Sequence, residues 1–201
     1  MIFGAELPRR AVFLCLLAAA SPVHAQSAWG LTQLMQSLAQ TRAATGNFTE
    51  REISPVLSAP LVSTGTLTYV APNYVRKVTN SPAPEVFILD HDQVTLTSPT
   101  SDGTRVFALN QDPRIAGLVV GIRATLAGDL PALDQYYVVG LTGNAAGWQL
   151  HLAPKDASLQ RFLRAITIGG AQGQITIIDT ASTDGSESLM SITAADVQNA
   201  P

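Results

Sequence analysis

Between Gly46 and Ala194 the chain alternates apolar and polar residues in eleven short runs, separated by proline, glycine and aspartate. A period of two sends successive side chains to opposite faces, so each run predicts a strand with one face buried. The runs cover residues 46–53, 62–70, 74–79, 85–90, 93–98, 104–108, 136–142, 148–154, 164–168, 174–179 and 187–194. Pro55, Pro60, Pro72, Pro82, Pro84, Pro99 and Asp102-Gly103 fall where turns are needed. Connections this short join antiparallel neighbours. A sheet of about eleven strands is then expected to curl or close.

Two stretches follow a helical period instead. Residues 29–44 carry Leu31, Leu34, Met35 and Leu38 on one face and stop before Thr45-Gly46. In the middle of the chain, Ile115, Leu118, Val119, Ile122 and Leu126 repeat at three and four residues. Gly117 and Gly121 weaken that helix, by about 1 kcal/mol each relative to alanine at an exposed site. Gly128-Asp129-Leu130-Pro131 interrupts it, and Pro131 can open a second short piece ending near Gln135. Asp156 is placed to cap a further helical turn through Phe162. No internal repeat or low-complexity linker divides the chain, so one domain is expected.

At the N-terminus, Arg9-Arg10 precedes the apolar run "AVFLCLLAAA" and then "SPVHAQS", with Val23 and Ala25 at the small positions of a cleavage site. This pattern predicts a secretory signal peptide over residues 1–25, cut after Ala25, and a mature domain over residues 26–201. A twin-arginine signal and a lipidated Cys15 fit the flanking residues less well. The run is shorter than the roughly 20 residues of a membrane-spanning helix. Cys15 is the only cysteine, so the mature chain relies on its core rather than on disulfides. Without the leader, 10 basic and 14 acidic residues remain. With no basic run among them, nucleic acid and anionic lipid heads are poor partners.

Catalytic chemistry is hard to place. The mature histidines are His91, in Asp90-His91-Asp92, and His151, which alternates with Leu150 and Leu152. Three adjacent residues at a hairpin tip do not converge on a metal ion, and a turn is the simpler reading. No serine occupies a Gly-x-Ser-x-Gly turn, and "GGAQGQ" (169–174) lacks the spacing of a dinucleotide loop. Glu50 and Glu52 share one strand face, where a solvated surface explains them as well as an acid/base pair does. A hydrolase would have to use His151 with Asp134 or Asp156. The expectation is a non-enzyme with no cofactor and no metal site.

The apolar faces leave two possibilities open, a packed core or a curved sheet around an apolar cavity. "GNFTERE" (46–52) after a helix, then "STGTLTYVAPN" (63–73), "LDHDQVTL" (89–96) and "WQLHLAPKD" (148–156), resembles the LolA-like outer-membrane lipoprotein carriers, in a divergent branch. In that family a Phe-Thr-Gln/Glu strand follows the first helix, and a Gly-x-Leu-x-aromatic strand runs into an x-Pro turn. The resemblance implies a mainly β fold with α, an unclosed antiparallel barrel with a helical lid over an apolar cavity. It implies a periplasmic carrier that shields the acyl chains of a lipid or lipoprotein bound for the outer membrane. Its partners would be the acylated cargo and, in addition, an inner-membrane exporter and an outer-membrane acceptor. The protein would act as a monomer.

On that resemblance the cavity wall is expected to be Leu67, Tyr69, Phe87, Leu89, Leu96, Tyr137, Leu150, Ile168 and Ile177, with the lid face formed by Ile115, Leu118, Ile122 and Leu126. One departure stands out. The dedicated carrier has an arginine immediately before the strand-end proline that helps latch its lid, whereas this chain has Ala71 before Pro72. Arg76 lies on the next strand and is not given that role. The alternative is a non-catalytic accessory or interaction subunit of an envelope lipid-export system.

Overall fold

The computed structural model describes Met1 and residues 29–99 and 103–200; the expected signal peptide lies outside the described residues. Eleven strands form one sheet: β1 (Thr41–Ile53), β2 (Leu61–Val70), β3 (Tyr74–Ser81), β4 (Glu85–Asp90), β5 (Gln93–Ser98), β6 (Gly103–Ala108), β7 (Tyr137–Asn144), β8 (Gly147–Pro154), β9 (Leu163–Ala171), β10 (Gln174–Ser182) and β11 (Glu187–Asn199). Every neighbouring pair is antiparallel. The spatial order is β6-β5-β4-β3-β2-β1-β11-β10-β9-β8-β7. Each strand therefore lies beside its sequence neighbour, and the first strand pairs with the last. The one missing ladder falls between β6 and β7. The sheet is an unclosed barrel, as its strand count predicts.

The segment between β6 and β7 is helical: α2 (Pro113–Ala127) and α3 (Leu130–Tyr136), with the N-terminal helix α1 (Leu31–Leu38) beside them. Helix α1 is half as long as its sequence suggests. Its periodic residues end at Leu38, and residues 41–44, expected to be helical, instead open β1. Ala43 and Ala44 pair with Val70 and Tyr69 on one side and with Gln198 and Val197 on the other. Ladders on both sides outweigh the helix preference of two alanines. Asp156 caps its turn as expected, its carboxylate accepting from the amides of Ser158 and Leu159. The helical turn that follows is brief, Leu159–Arg161.

Helix α2 runs unbroken through Gly117 and Gly121, and packing explains both. A Cβ at Gly117 would lie 2.0 Å from Leu159 Cδ1, and one at Gly121 would lie 3.0 Å from Ile166 Cδ1 and 3.2 Å from the Tyr137 ring. The glycines let α2 sit close to the sheet, where Tyr137 Oη donates to Gly117 O at 2.5 Å. Burial pushes the Tyr137 phenol well above its ordinary pKa, so it remains a donor throughout the neutral range. Helix α2 ends on Gly128, at φ +65°, with Asp129 N–H reaching Ala124 O and Gly128 N–H reaching Thr125 O. This is a Schellman ending. Asp129 then caps α3, its Oδ1 accepting from Ala132 N–H at 3.0 Å.

The core is unevenly divided. The larger cluster joins α1 (Leu34, Met35, Leu38) and α3 (Leu133) to Tyr137, Leu150, Leu152, Ile166 and Ile168 of β7–β9. The smaller has only Leu89, Val94 and Leu109 fully enclosed, with α2 packed beside them. One half of the concave face is thus filled by helices and the other is not.

Gly128 sets where α1 and α2 meet, because a Cβ there would lie 2.2 Å from Met35 O. Gly128→Ala combines that clash with a strained positive φ and is expected to lower unfolding free energy by more than about 1 kcal/mol. Urea denaturation of the two proteins checks this.

Candidate functional site: a lidded apolar cavity

The unfilled half of the concave face encloses a cavity of about 590 Å3, within the size range of small-molecule sites. Strand parity builds its wall. Across the ladders, Tyr69 of β2 stands opposite Val75, Val75 opposite Leu89, and Leu89 opposite Val94. The next row is Leu67, Lys77, Phe87 and Leu96. Helix α2 roofs the space with Ile115, Leu118, Val119, Ile122 and Leu126. From the far side, Ile178, Met190 and Ile192 of β10 and β11 complete the apolar lining.

Of the residues expected in the wall, Leu67, Tyr69, Phe87, Leu89 and Leu96 line the cavity, and so do all four of the lid face. Tyr137, Leu150 and Ile168 do not. They sit on the same concave face in the filled half, each fully buried in the core shared with α1 and α3, Tyr137 also against α2 through Gly117 O. Ile177 does not either: it is 42% exposed on the convex side. The β10–β9 ladder slips between Ile175 and Ile177, so Ile175 and Ile178 turn inward in its place. Sequence reasoning missed Val75, Val94, Phe107 and Met190. The strict alternation of "QVTLT" held the signal for Val94, whereas "YVRKV" does not alternate and gave none for Val75.

The wall is not uniformly apolar. Glu50 and Glu52, read as a solvated strand face, both border the cavity; Glu50 is half-buried, whereas Glu52 is exposed as that reading expects. Lys77 Nζ meets Glu50 Oε2 at 2.5 Å, both side chains half-buried, and Ser188 Oγ donates to Glu50 Oε1 at 2.6 Å. The Lys77 ammonium also lies 5.1 Å from the centre of the Phe48 ring. At the apolar end, the Tyr69 hydroxyl is buried without a partner among the described residues, and burial raises its pKa above the ordinary phenol value.

The lid has its own tie. Arg123 of α2 donates from Nη1 to His91 O at 2.7 Å and lies 3.2 Å from Asp92 Oδ1, at the β4–β5 hairpin tip. His91 takes φ 55° there, which shapes the turn. The position before Pro72 plays another part: Ala71 N–H donates to Arg42 O at 2.9 Å. The residues weighed for hydrolysis stay apart. His151 is exposed, with Nδ1 3.3 Å from Thr167 Oγ1, and Asp156 is engaged in capping, its pKa held low chiefly by the Ser158 hydroxyl. Among the described residues, no three His, Cys, Asp or Glu side chains are grouped to hold a metal ion. No described helix is long and apolar enough to cross a membrane.

A curved, unclosed sheet with a helix across its gap and a cavity beneath defines a class of binding protein. The chain belongs to the family described as outer membrane lipoprotein carrier protein LolA-like, whose profile matches residues 19–200. No curated protein matches it. Solved structures similar to it include a LolA superfamily protein from Nitrosomonas europaea, 10% identical, covering 85% of this chain and 94% of that one with a TM-score of 0.45. A DUF1329 family protein from Desulfovibrio piger is 9% identical over 84% of this chain and 90% of its own, TM-score 0.47. MucB of Pseudomonas aeruginosa, solved with MucA, is 12% identical; the match covers 84% of this chain and 58% of that one, TM-score 0.44.

Arg123→Ala removes the tie between α2 and the hairpin. A half-exposed charged contact of this kind contributes about 1 kcal/mol. Amide hydrogen exchange in residues 113–127 should therefore quicken by about fivefold, while exchange in β8 and β9 stays as it was.

Proposed function

We propose that this chain is a periplasmic carrier, with residues 26–201 as its domain, that shields the acyl chains of one lipid or lipoprotein on the way to the outer membrane. The observation that carries this reading is the division of the concave face. Helices fill one half completely, whereas the other half keeps an apolar wall and an apolar roof with open space between them. An acyl chain in that space is withdrawn from water at about 0.8 kcal/mol per methylene. Covering the space with α2 keeps the same wall from water when no chain is bound. Membership of a lipoprotein-carrier family supports the same reading. The carrier would act as a monomer without catalysis or a cofactor, taking cargo from an inner-membrane donor and passing it to an outer-membrane acceptor.

A second reading makes the chain an accessory subunit of an envelope lipid-export system. It draws on the β1–β2 connection, where Val56 is 89% exposed and Leu57 stands beside it, an apolar tip suited to contact.

Native mass spectrometry of protein purified from the periplasm without detergent tests the first reading. A stoichiometric acylated adduct is expected. Leu67→Glu places a charge in the apolar wall and should abolish the adduct while circular dichroism stays that of the parent. Unchanged loading of the folded variant would remove the cavity from the function. A clean apo mass together with no uptake of a fluorescent fatty acid would favour the accessory subunit.

A further inference from the structure

The cavity has two chemically distinct ends, and the charged end indicates what kind of head group its occupant carries. This inference rests on the carrier reading above. Under α2 the lining is aliphatic and aromatic. Toward the C-terminal end of β1 it becomes polar, through Glu50 and Glu52 of β1, Glu85 of β4, Lys77 of β3 and Ser188 of β11. Four carboxylates, Glu50, Glu52, Glu85 and Glu187, thus share the lining with the Arg123 guanidinium and a single ammonium, that of Lys77.

That ammonium is already engaged. Lys77 is held by Glu50 at 2.5 Å and lies over the Phe48 ring, so it offers little to an incoming phosphate or carboxylate. Glu52 and half-buried Glu85 carry no ion pair or hydrogen bond among the described residues. The other cations are engaged as well: Arg123, which lines the cavity from α2, donates to His91 O and lies 3.2 Å from Asp92 Oδ1. Arg105 lies 5.8 Å from the Phe107 ring and does not line the cavity. Arg164 pairs with Glu187 at 2.9 Å, with both side chains more than half exposed. The field at the mouth is therefore negative, and low-dielectric walls concentrate it.

A second observation also points to an occupant. Tyr69, 4% exposed, projects from the concave face of β2 into the lining, and its hydroxyl has no partner among the described residues. Buried polar groups are ordinarily satisfied. An acceptor carried by the occupant's chain, such as an ester or amide carbonyl, would satisfy this one.

We infer that the cavity takes an amphiphile with a cationic amine head, its chain under α2 and its nitrogen between Glu50, Glu52 and Glu85. An amine already fits hydrogen-bond geometry to carboxylates, as Lys77 shows. A phosphate or carboxylate head would meet the uncompensated charges of exposed Glu52 and half-buried Glu85 along the same rim.

Calorimetric titration of the purified protein at neutral pH with dodecylamine and with dodecanoate tests this, because the two share a chain and differ in head charge. The amine is expected to bind about tenfold more tightly. Glu52→Gln with Glu85→Gln should bring the two affinities to within about twofold, mainly by weakening the amine. Dodecanoate binding as tightly as the amine, or more so, would overturn the head-group assignment and leave the carrier reading standing. An amine preference that survives the double substitution would also overturn it, since those carboxylates would then not supply the preference. If neither molecule binds, the carrier reading falls and the head-group assignment falls with it.

Discussion

The structure depends on one ladder, between β1 and β11. These are the two longest strands, thirteen residues each, and they pair from Thr41–Asn199 to Ile53–Glu187. Without that ladder the remaining strands would make two separate meanders, six strands before the helical insertion and five after it. With it, the first and last strands meet at the centre of the sheet and both free edges arise in the middle of the chain. Right-handed twist then curls the sheet until those edges approach. The helical insertion lies between them because it is the segment that joins them.

The same geometry explains why only half the concave face is filled. Helix α3 runs directly into β7 and α1 directly into β1, and both share a core with β7–β9. The cavity lies over the rest of the sheet, with β10 and β11 in its lining beside β1–β6, and α2 roofs it, meeting a thin core at Leu89, Val94 and Leu109. A cavity there follows from connectivity. The polar mouth follows from strand length, since β1 extends past the apolar rows and carries Glu50 and Glu52 with it.

Much of this was legible in the residues, for a simple reason. Alternation reports strands directly, and proline and glycine report their ends, so the strand boundaries agree with the expected runs to within a few residues in most cases. Parity within a strand was also legible, which is why Leu67 with Tyr69 and Phe87 with Leu89 fall on the inner face together. Parity does not say which face is concave once a bulge intervenes. At Ile177 a single slipped pair reversed the expectation. It also cannot say whether an inward residue faces a void or a helix; Leu150 and Ile168 look like cavity residues until α1 and α3 are laid over them. Glu50 departs from the solvated reading because the chain brings a compensating lysine and a serine hydroxyl to it, while Glu52 stays exposed. The short reach of α1 was hidden by Ala43-Ala44, whose conformation is decided by partners at least 25 residues away on one side and more than 150 on the other.

The roof of the cavity is an internal segment of the chain, tied at Leu109 before α2 and at Gly128 after it. On the proposed carrier reading, an opening of α2 that admits an occupant leaves it attached at both ends. The roof is thus tethered to the wall it covers, at a high effective concentration that dilution cannot lower. Reclosure would be unimolecular, with a rate independent of protein concentration, and the wall would meet water only for as long as the opening lasts.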